Sequence, residues 1–176
     1  MSHYIVAVIH RADQKIEDLL DPYDENKEVE PYIEFSKDEA IEYGKKHFRP
    51  GLTDDEIYKI MLDGRTADED GNLYTTYNDA ARWDWWEVGG RWNNKLPTEA
   101  GGVNEAKIKN IKKDTGFTTY ATLTPDGEWH EPGKMGYFGY SYASEEDEKK
   151  WDAEWQKRWI DNQDPELIMT IVDCHI

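Results

Sequence analysis

The sequence predicts an α+β fold: one domain, residues 1–176, with a mixed or antiparallel sheet and helices packed on it. Three observations carry this reading. Two short β-branched apolar runs, residues 4–9 and 167–172, read as strands buried on both faces. Between them, Ser/Thr-x-x-Glu boxes open helical segments. No internal repeat and no Pro/Ser/Gly linker divides the 176 residues, which suffice for one substantial core. The order strand, helices, short strands, helix, strand suggests a split β-α-β topology of the ferredoxin-like kind, with the first and last strands central in one sheet.

Each element has a local reason. Tyr4-Ile5-Val6-Ala7-Val8-Ile9 is the first strand. Residues 11–30 are polar and acidic, with a short helical piece at 16–20 and a turn at Asp21-Pro22-Tyr23-Asp24. Residues 31–35 read as an extended edge segment, because Pro31 donates nothing to a ladder. Ser36 and Glu39 form a capping box for a helix that Pro50-Gly51 ends, and Thr53 and Glu56 do the same for a helix that Gly64 stops. Residues 73–77 suit a short strand. Residues 117–123 and 128–130 suit a hairpin around Pro125-Asp126-Gly127. Gly133, Gly136 and Gly139 punctuate an aromatic loop through Tyr137, Phe138, Tyr140 and Tyr142. Ser144 caps the longest helix, residues 145–162, on which Trp151, Trp155 and Trp159 recur every four residues and line one face.

Composition narrows the function. Lys and Arg number 21 against 38 Asp and Glu, a net charge of −17. Such a surface does not grip a bare nucleic-acid backbone, which needs clustered cations, and it is not drawn to anionic membranes. No apolar run is long enough for a membrane-spanning helix. Met1-Ser2-His3-Tyr4 lacks the basic stretch and cleavage site of a signal peptide. A single cysteine, Cys174, excludes a disulfide framework and a cysteine zinc site. The expected location is therefore a cytoplasm. Eight Trp, eleven Tyr and four Phe mark a folded chain with an aromatic core and an acidic skin.

The densest segment is Trp83-Asp84-Trp85-Trp86-Glu87-Val88-Gly89-Gly90-Arg91-Trp92. Adjacent glycines permit close backbone approach, and Arg stacks on rings or holds carboxylate and phosphate. Two readings fit. In one, Trp83, Trp86 and Trp92 wall a pocket with Arg91 at its base, for a nucleobase, a phosphate or a partner carboxylate, with Asp84, Glu87, Gly89 and Gly90 shaping it. In the other, the segment is a tight turn whose rings plug the core, with Arg91 paired to Asp84 or Glu87.

The same ten residues resemble the W-D-W-[YW]-x-x-G-G-R-W signature of a family of bacteriophage and mobile-element proteins to which no reaction is assigned. Tyr120-Ala121-Thr122-Leu123-Thr124-Pro125-Asp126-Gly127-Glu128-Trp129, with Gly133-Lys134-Met135-Gly136 behind it, resembles that family's second block. Tyr23-Asp24-Glu25-Asn26 resembles an early block, and Val172-Asp173-Cys174-His175-Ile176 its ending. The resemblance implies an accessory protein acting in a bacterial host cytoplasm.

Other candidates are weaker in pattern. Asp173 and His175 share a strand face and, with His130 between Glu128 and Glu131, would form a His/Asp acid–base or metal site. The alternative is a solvated pair on a fraying strand. No H-x-H or H-E-x-x-H spacing occurs, so neither metal nor cofactor is assigned. Asp68-Glu69-Asp70-Gly71-Asn72 resembles a calcium loop, but the register of its glycine fails. Cys174 and His175 are adjacent on a strand and face opposite ways. Phosphate-loop, dinucleotide and nucleophile-elbow motifs are missing, so no catalytic residue is assigned. Lys107, Lys109, Lys112 and Lys113 form one locally basic stretch.

Two functions follow. The first is a non-enzymatic protein that binds and inhibits a basic host protein, of defence or nucleic-acid handling, through its acidic surface. The second is a nucleotide-binding sponge or an enzyme on a nucleotide signal, using residues 83–92.

Overall fold

The computed structural model describes residues 2–133 and 142–176. Tyr137, Phe138 and Tyr140, with Gly136 and Gly139, lie outside the described residues. In chain order the elements are strand β1 (His3–His10), helix α1 (Ile16–Leu20), strand β2 (Tyr32–Phe35), and helices α2 (Lys37–His47) and α3 (Asp54–Leu62). Strands β3 (Thr66–Ala67), β4 (Leu73–Thr75), β5 (Trp85–Val88), β6 (Leu96–Thr98), β7 (Gly101–Val103), β8 (Glu105–Lys107), β9 (Ala121–Leu123) and β10 (Trp129–His130) follow. Helix α4 (Glu145–Gln156) runs into a π-helical turn (Lys157–Asp161), and strand β11 (Ile168–His175) comes last. The fold is α+β. It comprises two compact units, Met1–Lys27 with Asp79–Ile176, and Glu28–Asn78.

The first unit is built on a mixed sheet of order β10-β9-β1-β11-β5, with β8 also pairing to β11. β1 and β11 pair antiparallel along their whole length, from His3 opposite His175 to His10 opposite Ile168. Both apolar runs are therefore central, and the two-residue side-chain period divides them between two cores. Ile5, Ala7 and Ile9 meet Met169, Ile171 and the stripe Trp151, Trp155 and Trp159. Tyr4, Val6 and Val8 meet Leu19, Leu20, Trp83, Leu123, Val172 and Cys174 on the other face.

The topology is not the split β-α-β expected. That arrangement flanks the first strand with antiparallel neighbours, whereas Val6, Ala7 and Val8 pair in parallel with Ala121, Thr122 and Leu123. The long connection between these strands lets the chain return in the same direction.

Helix α4 begins as its sequence dictates: Ser144 Oγ accepts from the Asp147 N–H, and the Asp147 carboxylate accepts from the Ser144 N–H. Trp155 is 1% exposed and donates its indole N–H to Thr119 Oγ1 at 3.0 Å. The π-helical turn carries Trp159 onto the same core, tilted 52° against Trp151 with centroids 6.0 Å apart.

The second unit is an antiparallel β2-β4-β3 sheet with α2 and α3. Both capping boxes form, at Ser36 with Glu39 and at Thr53 with Glu56. Its core is Ala40, Ile57, Met61 and Leu73, and Arg65 holds the Glu34 carboxylate in a two-pronged pair.

Candidate functional site

Residues 83–92 form the approach to β5, β5 itself and the turn after it. β5 pairs antiparallel with β11, Trp85 opposite His175, Trp86 opposite Cys174, Glu87 opposite Asp173 and Val88 opposite Val172. Strand alternation then sends the rings apart. Trp83 is buried, donates its indole N–H to Leu20 O at 3.1 Å and packs edge-on to Trp86. Trp92 packs against the opposite core, with Trp151, Trp155 and Trp159. Trp85 stays 45% exposed. The Trp-walled pocket around Arg91 is thus not formed, because its walls are spent on two different cores.

Arg91 also departs from the alternative reading. Its side chain is exposed and makes no hydrogen bond or ion pair among the described residues, either with Asp84 or with Glu87. Its backbone is what matters. Gly89 and Gly90 take φ of +75° and +46°, which turns the Arg91 N–H onto the Asp173 carboxylate at 2.9 Å. A side chain at Gly90 would run into Asp173 Cβ and Oδ2. The glycine pair is a close-approach turn wrapped on a buried acid.

Asp173 is 1% exposed, and its other oxygen lies 2.8 Å from His3 Nδ1. His175 repeats the arrangement, with Nδ1 2.7 Å from Asp84 Oδ1. A carboxylate only accepts, so each Nδ1 carries the proton. The two imidazoles sit opposite each other in register, with centroids 4.9 Å apart and edge to face, and Trp85 stands 6.0 Å from His3. Nε2 of neither ring makes a hydrogen bond among the described residues. Among the described residues no group of three or more His, Cys, Asp or Glu converges to hold a metal ion.

His130 does not join them. It lies on β10, with β9 and β1 between it and β11. Its Nε2 is 3.5 Å from the Glu128 carboxylate and its ring 4.9 Å from Trp159. Burial, then the nearby Arg158 charge, pull its pKa below the usual histidine value. Cys174 is fully buried on the opposite face from His175, and burial pushes its thiol well up.

The lysine stretch is neutralised in place. Lys107 and Lys109 hold Glu166 at 2.8 and 2.5 Å and pull its pKa down to about 2. Lys113 holds Asp161 at 2.6 Å, and Lys112 approaches Glu99 at 3.8 Å. An open hollow of about 770 Å³ lies beside them, lined by Thr98, Glu105, Asn110 and their neighbours rather than by Arg91. The Asp68 loop satisfies itself, its carboxylate accepting from Asp70 N–H and Asn72 N–H.

Sequence reasoning missed His3, whose link to Asp173 spans 170 residues and appears only through strand register. It also missed His10, which is buried with Nε2 3.0 Å from Thr170 Oγ1, itself 2.8 Å from the Glu105 carboxylate. Alternation along β1 was the available signal, since a polar residue in so apolar a run must find a buried partner. Among the described residues no helix is long and apolar enough to cross a membrane. Comparison with protein-family models, with curated proteins and with solved structures finds no match.

Proposed function

We propose that this chain is a binding protein, not an enzyme, and that it engages a basic partner through its acidic surface. The observation that carries this is a division of labour. Residues suited to hold a small ligand, Trp83, Trp86, Trp92, Gly90 and Asp173, are occupied in the cores and in joining β5 to β11. The carboxylates face solvent instead. Glu145, Glu146, Asp147 and Glu148 are all exposed on the first turn of α4, and Asp13, Glu17, Asp18 and Asp21 are exposed around α1. At a net charge of −17, this surface speeds encounter with cations and repels anions. The resemblance to phage and mobile-element proteins makes a bacterial host protein of defence or nucleic-acid handling the partner class.

The test is affinity capture from bacterial lysate, with mass spectrometry of proteins and of co-purified small molecules. A specific basic protein whose on-rate falls steeply as salt shortens the screening length to about 8 Å supports the reading. A salt-independent on-rate, or a nucleotide as the captured species, overturns it. One observation favours that second outcome: half-exposed Trp85 lies beside two imidazoles and offers a face for base stacking. A thermal shift with nucleotides that disappears in Trp85→Ala would select it.

A further inference from the structure

We infer that the outer edge of β5 is a strand-addition site for an extended, basic segment of a partner protein. The inference rests on the acidic-surface reading and gives it an address.

β5 ends the sheet. One edge pairs with β11, and among the described residues no strand pairs with the other. The hydrogen-bond direction follows from the ladder. Gly89 N–H donates to Ile171 O, so the pairs in step with it, Glu87 with Asp173 and Trp85 with His175, are the bonded ones. Trp86 and Val88 therefore turn their N–H and C=O groups outward, and neither makes another hydrogen bond among the described residues. The chain already uses the ground just before this edge. Asp24 bridges Trp83 in parallel, Glu25 N–H donates to Trp83 O at 2.8 Å, and Asn26 reaches Asp84 O. Pairing there stops where β5 begins.

This edge carries one charge, Glu87, and none of the other usual protections. Exposed edges are commonly protected by lysine, proline, a bulge or extreme shortness. At the far end of the sheet, β10 is only two residues long and stops just before Pro132. β5 is four residues, Trp-Trp-Glu-Val, with no lysine or proline. It also shows two large apolar side chains to solvent, Trp85 at 45% and Val88 at 40%, on opposite faces. Between them Glu87 is exposed and makes no ion pair among the described residues.

These features choose the occupant. In a strand pair, directly opposite residues share a face. A lysine or arginine opposite Glu87 meets an unpaired carboxylate, and apolar residues opposite Trp86 and Val88 cover them. A second copy of this chain fits poorly, since it would bring together two Glu87 carboxylates and two bodies of charge −17.

The experiment titrates the full chain with a short acetylated, amidated peptide of alternating Lys and Val, followed by calorimetry and amide hydrogen exchange. A second peptide carries N-methyl groups along one edge, which keeps charge and side chains but removes the backbone donors. The expected result is binding of the first peptide with slowed exchange at Trp86 and Val88. Methylation should weaken binding by about tenfold, the loss of one or two backbone hydrogen bonds. Glu87→Lys, at an exposed position that leaves the melting temperature unchanged, should weaken it further. Equal binding of both peptides overturns strand addition and leaves the acidic-surface reading standing. Failure of both to bind overturns strand addition, while the acidic-surface reading stands or falls on affinity capture and its salt dependence. A dimer whose dissociation frees the Trp86 and Val88 amides to exchange would assign the edge to a second copy and overturn the proposal.

Discussion

The backbone N–H of Arg91 donates to the carboxylate of Asp173, 82 residues further along the chain and 1% exposed. The glycine pair before Arg91 exists for this contact. It turns what reads as an arginine motif into a backbone motif, in which the side chain of Arg91 is left to solvent. Asp173→Ala strands the Arg91 N–H and the His3 Nδ1–H, and unmade buried hydrogen bonds cost about 1–3 kcal/mol each. Asp173→Asn keeps one acceptor and should lose less. Urea denaturation orders the two variants, and equal losses would remove the hydrogen bonds from the account.

Glycine substitution separates backbone strain from collision. Gly127 has φ +86° and open space around the position a side chain would take, while Gly90 has φ +46° and Asp173 in the way. Gly127→Ala should cost about 1–2 kcal/mol for the left-handed backbone alone. Gly90→Ala should cost distinctly more in the same titration, because the turn has to move off the acid.

The Arg91 guanidinium is exposed and makes no hydrogen bond or ion pair among the described residues. Arg91→Ala is expected to leave the unfolding free energy within about 0.5 kcal/mol of the parent, as for other surface changes. A larger loss would show a structural partner for the side chain. With stability unchanged, any effect of this substitution on partner binding is a direct one.

The tryptophans differ in the same way. Trp155→Ala removes a ring that is 1% exposed and should cost about 3–5 kcal/mol. Trp85 is 45% exposed, and Trp85→Ala should cost much less in the same urea titration.

Two titrations carry signs fixed by the structure. Glu166 has its folded pKa lowered from 4.5 to about 2 by Lys107 and Lys109. Its contribution is complete above the unfolded value and is lost as pH falls from there toward the folded one. Carboxyl NMR should find a midpoint near 2 that moves up in Lys109→Ala. His130 is also lowered, by burial and by Arg158, from 6.5. The unfolded chain takes up that proton first, so stability falls as pH drops below the ordinary histidine value. His130→Phe should flatten the slope in that window.

What the sequence made legible was local. The two capping boxes, the Ser144 cap, the two apolar strands and the Trp151, Trp155 and Trp159 stripe all follow from spacing within one or two turns. What it hid depends on register between distant segments. Nothing around Trp85 marks it as an edge strand, because alternation on a pair of adjacent tryptophans looks the same in a turn. Nothing in the basic run 107–113 announces Glu166 or Asp161 as its counter-charges. The edges of the second unit, near residues 28 and 78, carry no linker composition, since Val29 N–H simply pairs with Thr76 O.

The pairing of β1 with β11 also sets a schedule for synthesis. β1 leaves the ribosome first, yet both of its neighbours come late, β9 after residue 120 and β11 after residue 167. At 5–20 residues per second the wait is on the order of ten seconds. Through that interval the run from Tyr4 to Ile9, which has no lysine, proline or acid to interrupt it, lacks both strand neighbours, and only the face carrying Tyr4, Val6 and Val8 has early partners, in Leu19 and Leu20. Yield in the cell should therefore respond to chaperone supply and to translation speed more than to the stability of the finished fold.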